Sequence, residues 1–324
     1  MVLTIIGLLA GFFVLLKSAD YLVDSASSIA KRYGISPLFI GLTIVAFGSS
    51  APELIVNIFA AIEGASEIAL GNVMGSNIAN ILLGLGAAAL VRPLVIHRLV
   101  VWREIPFAVL GAGMIWILVS DQLFDGVSNV LTRVEGLALI GFFVVFLYFT
   151  FKPLLERGGR TKEDKDAVDV GSMSGLRATL SIIGGLVGLV LGGSLIVNMA
   201  SGIASALGVS EALIALTVVA AGTSLPEIAA TVIAARKGHA EIAVGNIVGS
   251  VTFNTLWIMG LTAVIRPLEI YESGVLDVLL AFLAIFLLFP FMTNQKRVGH
   301  LDRWEGGLFV AAYVFYIGFT IWRG

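Results

Sequence analysis

Gly48-Ser49-Ser50-Ala51-Pro52-Glu53 sits inside a long apolar segment, and Gly222-Thr223-Ser224-Leu225-Pro226-Glu227 stands 174 residues further on inside another. Each stretch puts a helix breaker and an ionisable carboxylate where hydrocarbon offers neither of them a partner. Proline removes an amide hydrogen and pushes the preceding residue away from helical geometry. Backbone groups freed inside a bilayer must be satisfied by protein or by a lined cavity. A charged side chain at mid-membrane costs at least about 2.5 kcal/mol on insertion scales. Seen once, a plain proline kink with a paired carboxylate explains such a stretch. Seen twice at corresponding positions, it marks a transport site, because interrupted helices in both halves of a chain are the sequence pointer to one.

The surroundings fit a polytopic membrane protein. The chain has 324 residues, of which 58% are hydrophobic and 13% charged, with mean hydropathy +1.00. A soluble domain carries about 25% charged residues. Ten apolar spans are expected at roughly 2–30, 36–63, 67–91, 100–119, 130–151, 178–205, 210–236, 240–265, 273–293 and 304–322, each near the length needed to cross. The first lacks a basic flank and a small-residue cleavage site, so it reads as a retained helix. One polar connection, from Lys152 to Ser174, divides five spans from five. The expected layout is a first five-helix repeat over 1–152, a mobile cytoplasmic linker over 153–175 and a second repeat over 176–324. Of the 20 Lys and Arg, sixteen fall in one set of connections and three (Arg133, Arg266, Arg323) in the other, with Lys17 inside the first span. The excess of positive charge marks the cytoplasmic face, which places both termini outside an inner, or cell, membrane.

The two halves align without a gap from about residue 18 to 93. Glu67-Ile68-Ala69 returns as Glu241-Ile242-Ala243, Gly71-Asn72 as Gly245-Asn246, Gly75-Ser76 as Gly249-Ser250, Asn80 as Asn254 and Arg92-Pro93 as Arg266-Pro267. An odd number of spans per half sends the second copy into the membrane from the opposite side, so the fold class expected is an all-α, ten-helix 5+5 inverted repeat with helices 2 and 7 broken.

The chemistry follows from the donor types. The break is expected to free carbonyls near Ala46 to Ser49 and to open a helix N-terminus whose dipole favours ionised Glu53. Asn72, Ser76 and Asn80 fall at i, i+4 and i+8, one polar stripe; Asn246, Ser250 and Asn254 repeat it. Gly71 with Gly75, and Gly245 with Gly249, are small-residue pairs that admit a second helix closely. Two inverted copies bring Glu53 and Glu227 together, and their oxygens with those of the breaks make six to eight hard ligands, a Ca2+ sphere. Sodium suits the same oxygens. Without cysteine or intramembrane histidine, zinc and copper are poor candidates. No Ser/His pair or aspartate dyad lies in the spans, which disfavours an intramembrane enzyme, and an inverted repeat favours alternating access over a channel. Net charge is −2 and gives no sign of a nucleic-acid partner; no obligate protein partner and no cofactor are evident. Lys17, Asp20 and Asp24 on the first span are expected to pair among themselves. Trp102, Trp116, Trp304 and Trp322 fit interfacial belts.

Gly48-Ser-Ser-Ala-Pro-Glu53 with Gly71-Asn-Val-Met-Gly-Ser-Asn-Ile-Ala-Asn80, and their second copies ending in Glu227 and Asn254, resemble the two α-repeats of the sodium/calcium exchanger family of the cation/Ca2+ exchanger superfamily. The resemblance implies a Ca2+ site made by the Glu53 and Glu227 side chains with backbone oxygens of Ser49 and Thr223. It implies flanking Na+ sites from the carbonyls of Ala46 and Ala220 and the hydroxyls of Ser50, Ser76, Ser224 and Ser250, with Asn80 and Asn254 near the centre. It also implies alternating access, the first and sixth spans sliding over the other eight. Ser49 stands where the family usually has Thr, and Asn254 where several relatives carry Asp, a residue associated with K+ dependence or a protonatable site. The expected activity is Na+/Ca2+ antiport, with a Ca2+/H+ or K+-dependent Na+/Ca2+ antiporter as the alternative.

Overall fold

The computed structural model describes residues 2–96, 98, 100–124, 126, 128–157, 174–206, 220–271, 273–293 and 298–323. Eleven helices carry the argument: α1 (Val2–Tyr33), α2 (Pro37–Ser49) and α3 (Ala51–Glu63), α4 (Ser66–Val91), α5 (Val100–Leu118), α6 (Arg133–Arg157), α7 (Gly175–Ala206), α8 (Leu225–Lys237), α9 (Ala240–Ile265), α10 (Gly274–Met292) and α11 (Arg303–Arg323). Eight of the described helices are long and apolar enough to cross a membrane, and the pair α2–α3, bent by 46°, makes up to nine. Of the expected span 210–236, residues 210–219 lie outside the described residues, as do 158–173 of the expected linker.

Local chemistry sets the helix ends. Ser36 Oγ accepts the Phe39 amide at 3.2 Å with Pro37 in the first turn, which starts α2. Gly64 (φ 78) and Gly238 (φ 87) terminate α3 and α8 in the left-handed region, where only glycine escapes a steric penalty. Arg92 and Arg266 turn extended ahead of Pro93 and Pro267, ending α4 and α9. α6 and α11 each open on a capping box: Glu135 Oε2 accepts the Thr132 amide, and Glu305 Oε2 the Asp302 amide, both at 2.7 Å.

α4 and α9 form the centre. Their most apolar windows are 78% and 83% buried, against 17–44% for the other spans. Burial all round is what an amphipathic stripe cannot satisfy, so these two read as helices packed on every side. α2 lies against α9 almost backbone to backbone: a Cβ on Gly249 would fall 2.6 Å from the Leu42 carbonyl oxygen. Gly245 and Gly249 thus do what a small-residue pair is for. Gly71 and Gly75 meet nothing within 4 Å among the described residues.

Three features depart from the expected plan. First, four two-residue strands are added to the expected all-helical fold: β1 (Leu94–Val95) pairs with β4 (His300–Leu301), and β2 (Val130–Leu131) with β3 (Leu268–Glu269), both antiparallel. Each ladder fastens one half of the chain to the other, and satisfies backbone groups that the Pro93 and Pro267 turns leave free. Second, stretches of wide π-helix run through Gly41–Val45, Ala79–Leu85, Val100–Glu104 and Phe253–Ile258. Hydropathy carries no signal for them. Third, Asp20 and Asp24 do not form the expected cluster with Lys17. Both pair with Lys237 at the end of α8, at 2.8 and 2.7 Å, because the fold brings a cation from the other half to their face of α1.

Candidate cation site

The breaks fall one residue before each proline-bearing helix. Ser50 (φ −81, ψ 10) separates α2 from α3, and Ser224 (φ −83, ψ 0) separates the turn Ala220–Thr223 from α8. Pro52 and Pro226 occupy the first turn of the following helix, where a missing amide hydrogen costs nothing. Glu53 and Glu227 therefore sit in the first turns of α3 and α8, both fully buried. α7 closes over both breaks, with Leu186 against Gly48 and Val197 against Gly222.

Glu53 Oε1 accepts from Ser76 Oγ at 3.4 Å. The Ser76 and Thr223 hydroxyls are 3.4 Å apart. Glu227 Oε1 accepts from Ser50 Oγ at 2.9 Å. Each glutamate is thus held by a hydroxyl, Glu227 by one from the opposite break and Glu53 by one from the neighbouring stripe. Ser250 Oγ donates to the Ala46 carbonyl at 3.4 Å. Ala46 O is not freed as expected: it also accepts the Ser50 amide at 3.0 Å, since the turn 46–49 stays helical and the chain bends only at Ser50. Ala220 opens the helical turn that leads to the second break.

The second oxygens of these groups carry the main signal. Glu53 Oε2, Glu227 Oε2, Ser224 Oγ and both amide atoms of Asn80 and Asn254 are buried without a hydrogen-bond partner. Buried polar groups are nearly always satisfied, and unsatisfied ones call for an absent ion or water. Asn80 and Asn254 lie in two of the π-helical stretches, Ala79–Leu85 and Phe253–Ile258, one turn beyond Ser76 and Ser250; such bulges are frequent at functional sites. Neither carboxylate has a basic partner among the described residues, and a buried unpaired carboxylate pair is costly unless a cation joins it. The donors are carboxylate, hydroxyl, carbonyl and amide oxygens, which suit hard cations such as Ca2+ and Na+. Among the described residues no group of three or more His, Cys, Asp or Glu side chains converges as a metal cluster.

Behind the carboxylates stands a layer only partly foreseen. Asn246 Nδ2 donates to the Glu227 carbonyl at 3.0 Å and to Thr231 Oγ1 at 2.9 Å. Asn72 Nδ2 donates to the Glu53 carbonyl at 3.4 Å and to Asn57 Oδ1 at 2.6 Å. Asn57 is visible in the sequence one turn after Glu53; Thr231, at the same place after Glu227, looks like an ordinary helix residue. Asn77 donates to Thr255 Oγ1 at 2.9 Å, a contact the repeat hides because Val251 stands in the second copy of Asn77.

The profile of the Sodium/calcium exchanger protein family matches residues 3–152 and 177–322. The chain belongs to this family. Among its relatives, the sodium/calcium exchanger MaX1 of Methanosarcina acetivorans is 33% identical over 97% of this chain and 96% of its own. The inner membrane protein YrbG of Escherichia coli is likewise 33% identical, over 97% and 96%. The sodium-calcium exchanger NCX_Mj, solved after soaking with 2.5 mM Na+ and 1 mM Sr2+, superposes with TM-score 0.82 at 26% identity and covers 98% of both chains. This member of the exchanger family is an integral membrane transporter with multiple apolar helices, not an enzyme.

Proposed function

We propose that this exchanger-family chain is a secondary antiporter that trades Na+ for Ca2+ by alternating access, holding both ions at mid-membrane between two inverted five-helix halves. The observation that carries this is the pair of fully buried carboxylates, each with one oxygen bonded by hydroxyls and one left without a partner. In this reading Ca2+ takes the side chains of Glu53 and Glu227 and the carbonyls of Ser49 and Thr223. Na+ takes the carbonyls of Ala46 and Ala220 and the hydroxyls of Ser50, Ser76, Ser224 and Ser250, with Asn80 and Asn254 at the centre. The names of MaX1 and NCX_Mj support the same pair of ions.

The inverted arrangement, with ten spans and with 1–152 and 176–324 as repeats around the linker 153–175, draws support from reciprocal joins. β1 pairs with β4 while β3 pairs with β2. Arg133 Nε donates to the Val264 carbonyl at the end of α9, and the Arg303 guanidinium to the Val91 carbonyl at the end of α4. Both termini outside and the linker in the cytoplasm follow from the positive charge of the linker side.

With the site empty, two facing carboxylates repel, so an unloaded carrier reorients at a cost and the exchange is obligatory. Take an assumed tenfold Na+ gradient and about 100 mV. Three Na+ per Ca2+ then supply about 6.5 kcal/mol and hold a Ca2+ ratio on the order of 10⁴ to 10⁵, whereas two hold about 10². The test is isotopic Ca2+ uptake into proteoliposomes with Na+, K+ and H+ gradients imposed separately. Uptake driven by Na+ alone, and lost in Glu53→Gln and Glu227→Gln, is the expected result. Uptake driven by the pH gradient, or requiring K+, replaces this reading with the Ca2+/H+ or K+-dependent one.

A further inference from the structure

We propose that Asn246 is a positioning residue that couples the two broken helices, so that a cation arriving at Glu227 is felt at the end of α2. This deepens the proposed cation site and rests on it. Asn246 is fully buried on α9. Its Nδ2 holds the Glu227 carbonyl at 3.0 Å and Thr231 Oγ1 at 2.9 Å, which fixes the first turn of α8 from behind. Its Oδ1 accepts from Ser49 Oγ at 3.3 Å. One amide plane therefore touches the backbone that carries one carboxylate and the hydroxyl that ends the opposite half-helix.

Ser49 is the sensitive end of this contact. Its hydroxyl has one proton and two acceptors in reach, the Ala46 carbonyl and Asn246 Oδ1, both at 3.3 Å. A hydroxyl proton rotates to the best acceptor available. A cation that claims the Glu227 oxygens shifts the first turn of α8, whose Glu227 carbonyl is held by Asn246 Nδ2, and the amide carries that shift to its Oδ1 and the Ser49 proton. A stronger bond into Asn246 Oδ1 polarises the amide and strengthens what its Nδ2 gives to the Glu227 carbonyl and Thr231. Binding at the second carboxylate then draws α2 and α8 onto the same amide.

The test uses two small substitutions on opposite sides of Asn246 whose side-chain hydrogen bonds share no other partner. Ser49→Ala keeps the main-chain carbonyl and removes the hydroxyl. Thr231→Val keeps the shape and removes the acceptor. Ca2+ affinity is measured by isothermal titration on the full chain purified in detergent. Each single substitution weakens binding about fivefold, the factor of one lost neutral hydrogen bond. The double variant remains near fivefold, where independent sites would multiply to about 25-fold. In an Asn246→Ala background neither substitution adds further loss. Singles that multiply, singles with wild-type affinity, or a coupling that survives without Asn246 each overturn the proposal. If Asn246→Ala does not fold, the Ser49/Thr231 cycle alone decides. A wild-type chain that binds no Ca2+ overturns the proposed function instead, while multiplying singles with Ca2+ binding intact overturn only the coupling.

Discussion

The two breaks carry the same motif and hold their carboxylates differently. At the second, Ser50 donates to Glu227 at 2.9 Å; at the first, the corresponding Ser224 has no partner, and Glu53 accepts from Ser76 at 3.4 Å. The amides behind them differ in the same sense, with Asn246 at 3.0 Å from the Glu227 carbonyl and Asn72 at 3.4 Å from that of Glu53. A duplicated sequence thus yields two sites of equal chemistry and unequal tightness. If the chain alternates access as proposed, this inequality is where its site would break symmetry.

The largest effects come from the carboxylates themselves. Glu53→Gln and Glu227→Gln each abolish Ca2+ flux in proteoliposomes while leaving the chain folded by size-exclusion chromatography. Wild-type flux in either variant removes that glutamate from the site. The next effect separates the two breaks. Ser50→Ala removes a hydroxyl that bonds a carboxylate and raises the apparent KM for Ca2+ about tenfold or more, the scale of a hydrogen bond to a charged group. Ser224→Ala, with nothing to lose in this conformation, raises it about twofold or less. Equal shifts would show that the two breaks alternate in tightness through the cycle.

Packing sharpens the same contrast. Gly249→Ala drives a methyl against the Leu42 carbonyl and Ala46 Cβ, 2.6 and 2.7 Å from its ideal position, and costs about 1–3 kcal/mol, the range for overpacking. The melting temperature in detergent should fall by several degrees. Gly75→Ala is the comparison: a fall of equal size places a backbone segment against Gly75 as α2 lies against Gly249. The smallest effect is at the α8–α9 turn, where burial lowers the pKa of His239 while Asp24 opposes the shift. A histidine with a depressed pKa is protonated first in the unfolded chain as pH falls through about 6.5. Stability from this group is therefore present above that pH and lost below it, and His239→Gln should flatten the slight loss of melting temperature between pH 7 and pH 5.

Much of this was open to reading in the residues. Pro52-Glu53 and Pro226-Glu227 located both breaks, because proline and a carboxylate in hydrocarbon admit few explanations. The span ends fall within a few residues of the described helices wherever glycine, proline or a charge marks them. What stayed hidden depends on distance in the chain. Nothing near Asp20 and Asp24 announces Lys237 as their partner, and nothing near Leu94 announces the strand at Leu301. The π-helical stretches at Ala79 and Phe253 have ordinary apolar composition. Thr231 has no local signal, since its role appears only when Asn246 is packed against it.

The central claim is that the two partnerless carboxylate oxygens close on one ion. Anomalous diffraction from crystals soaked in Sr2+ tests it directly. One strong peak that contacts an oxygen of Glu53 and an oxygen of Glu227 at once, at distances slightly beyond the about 2.3–2.6 Å of Ca2+–oxygen bonds because Sr2+ is the larger ion, is the predicted result. A peak touching only one of the two, or bound ions found solely elsewhere, would contradict it.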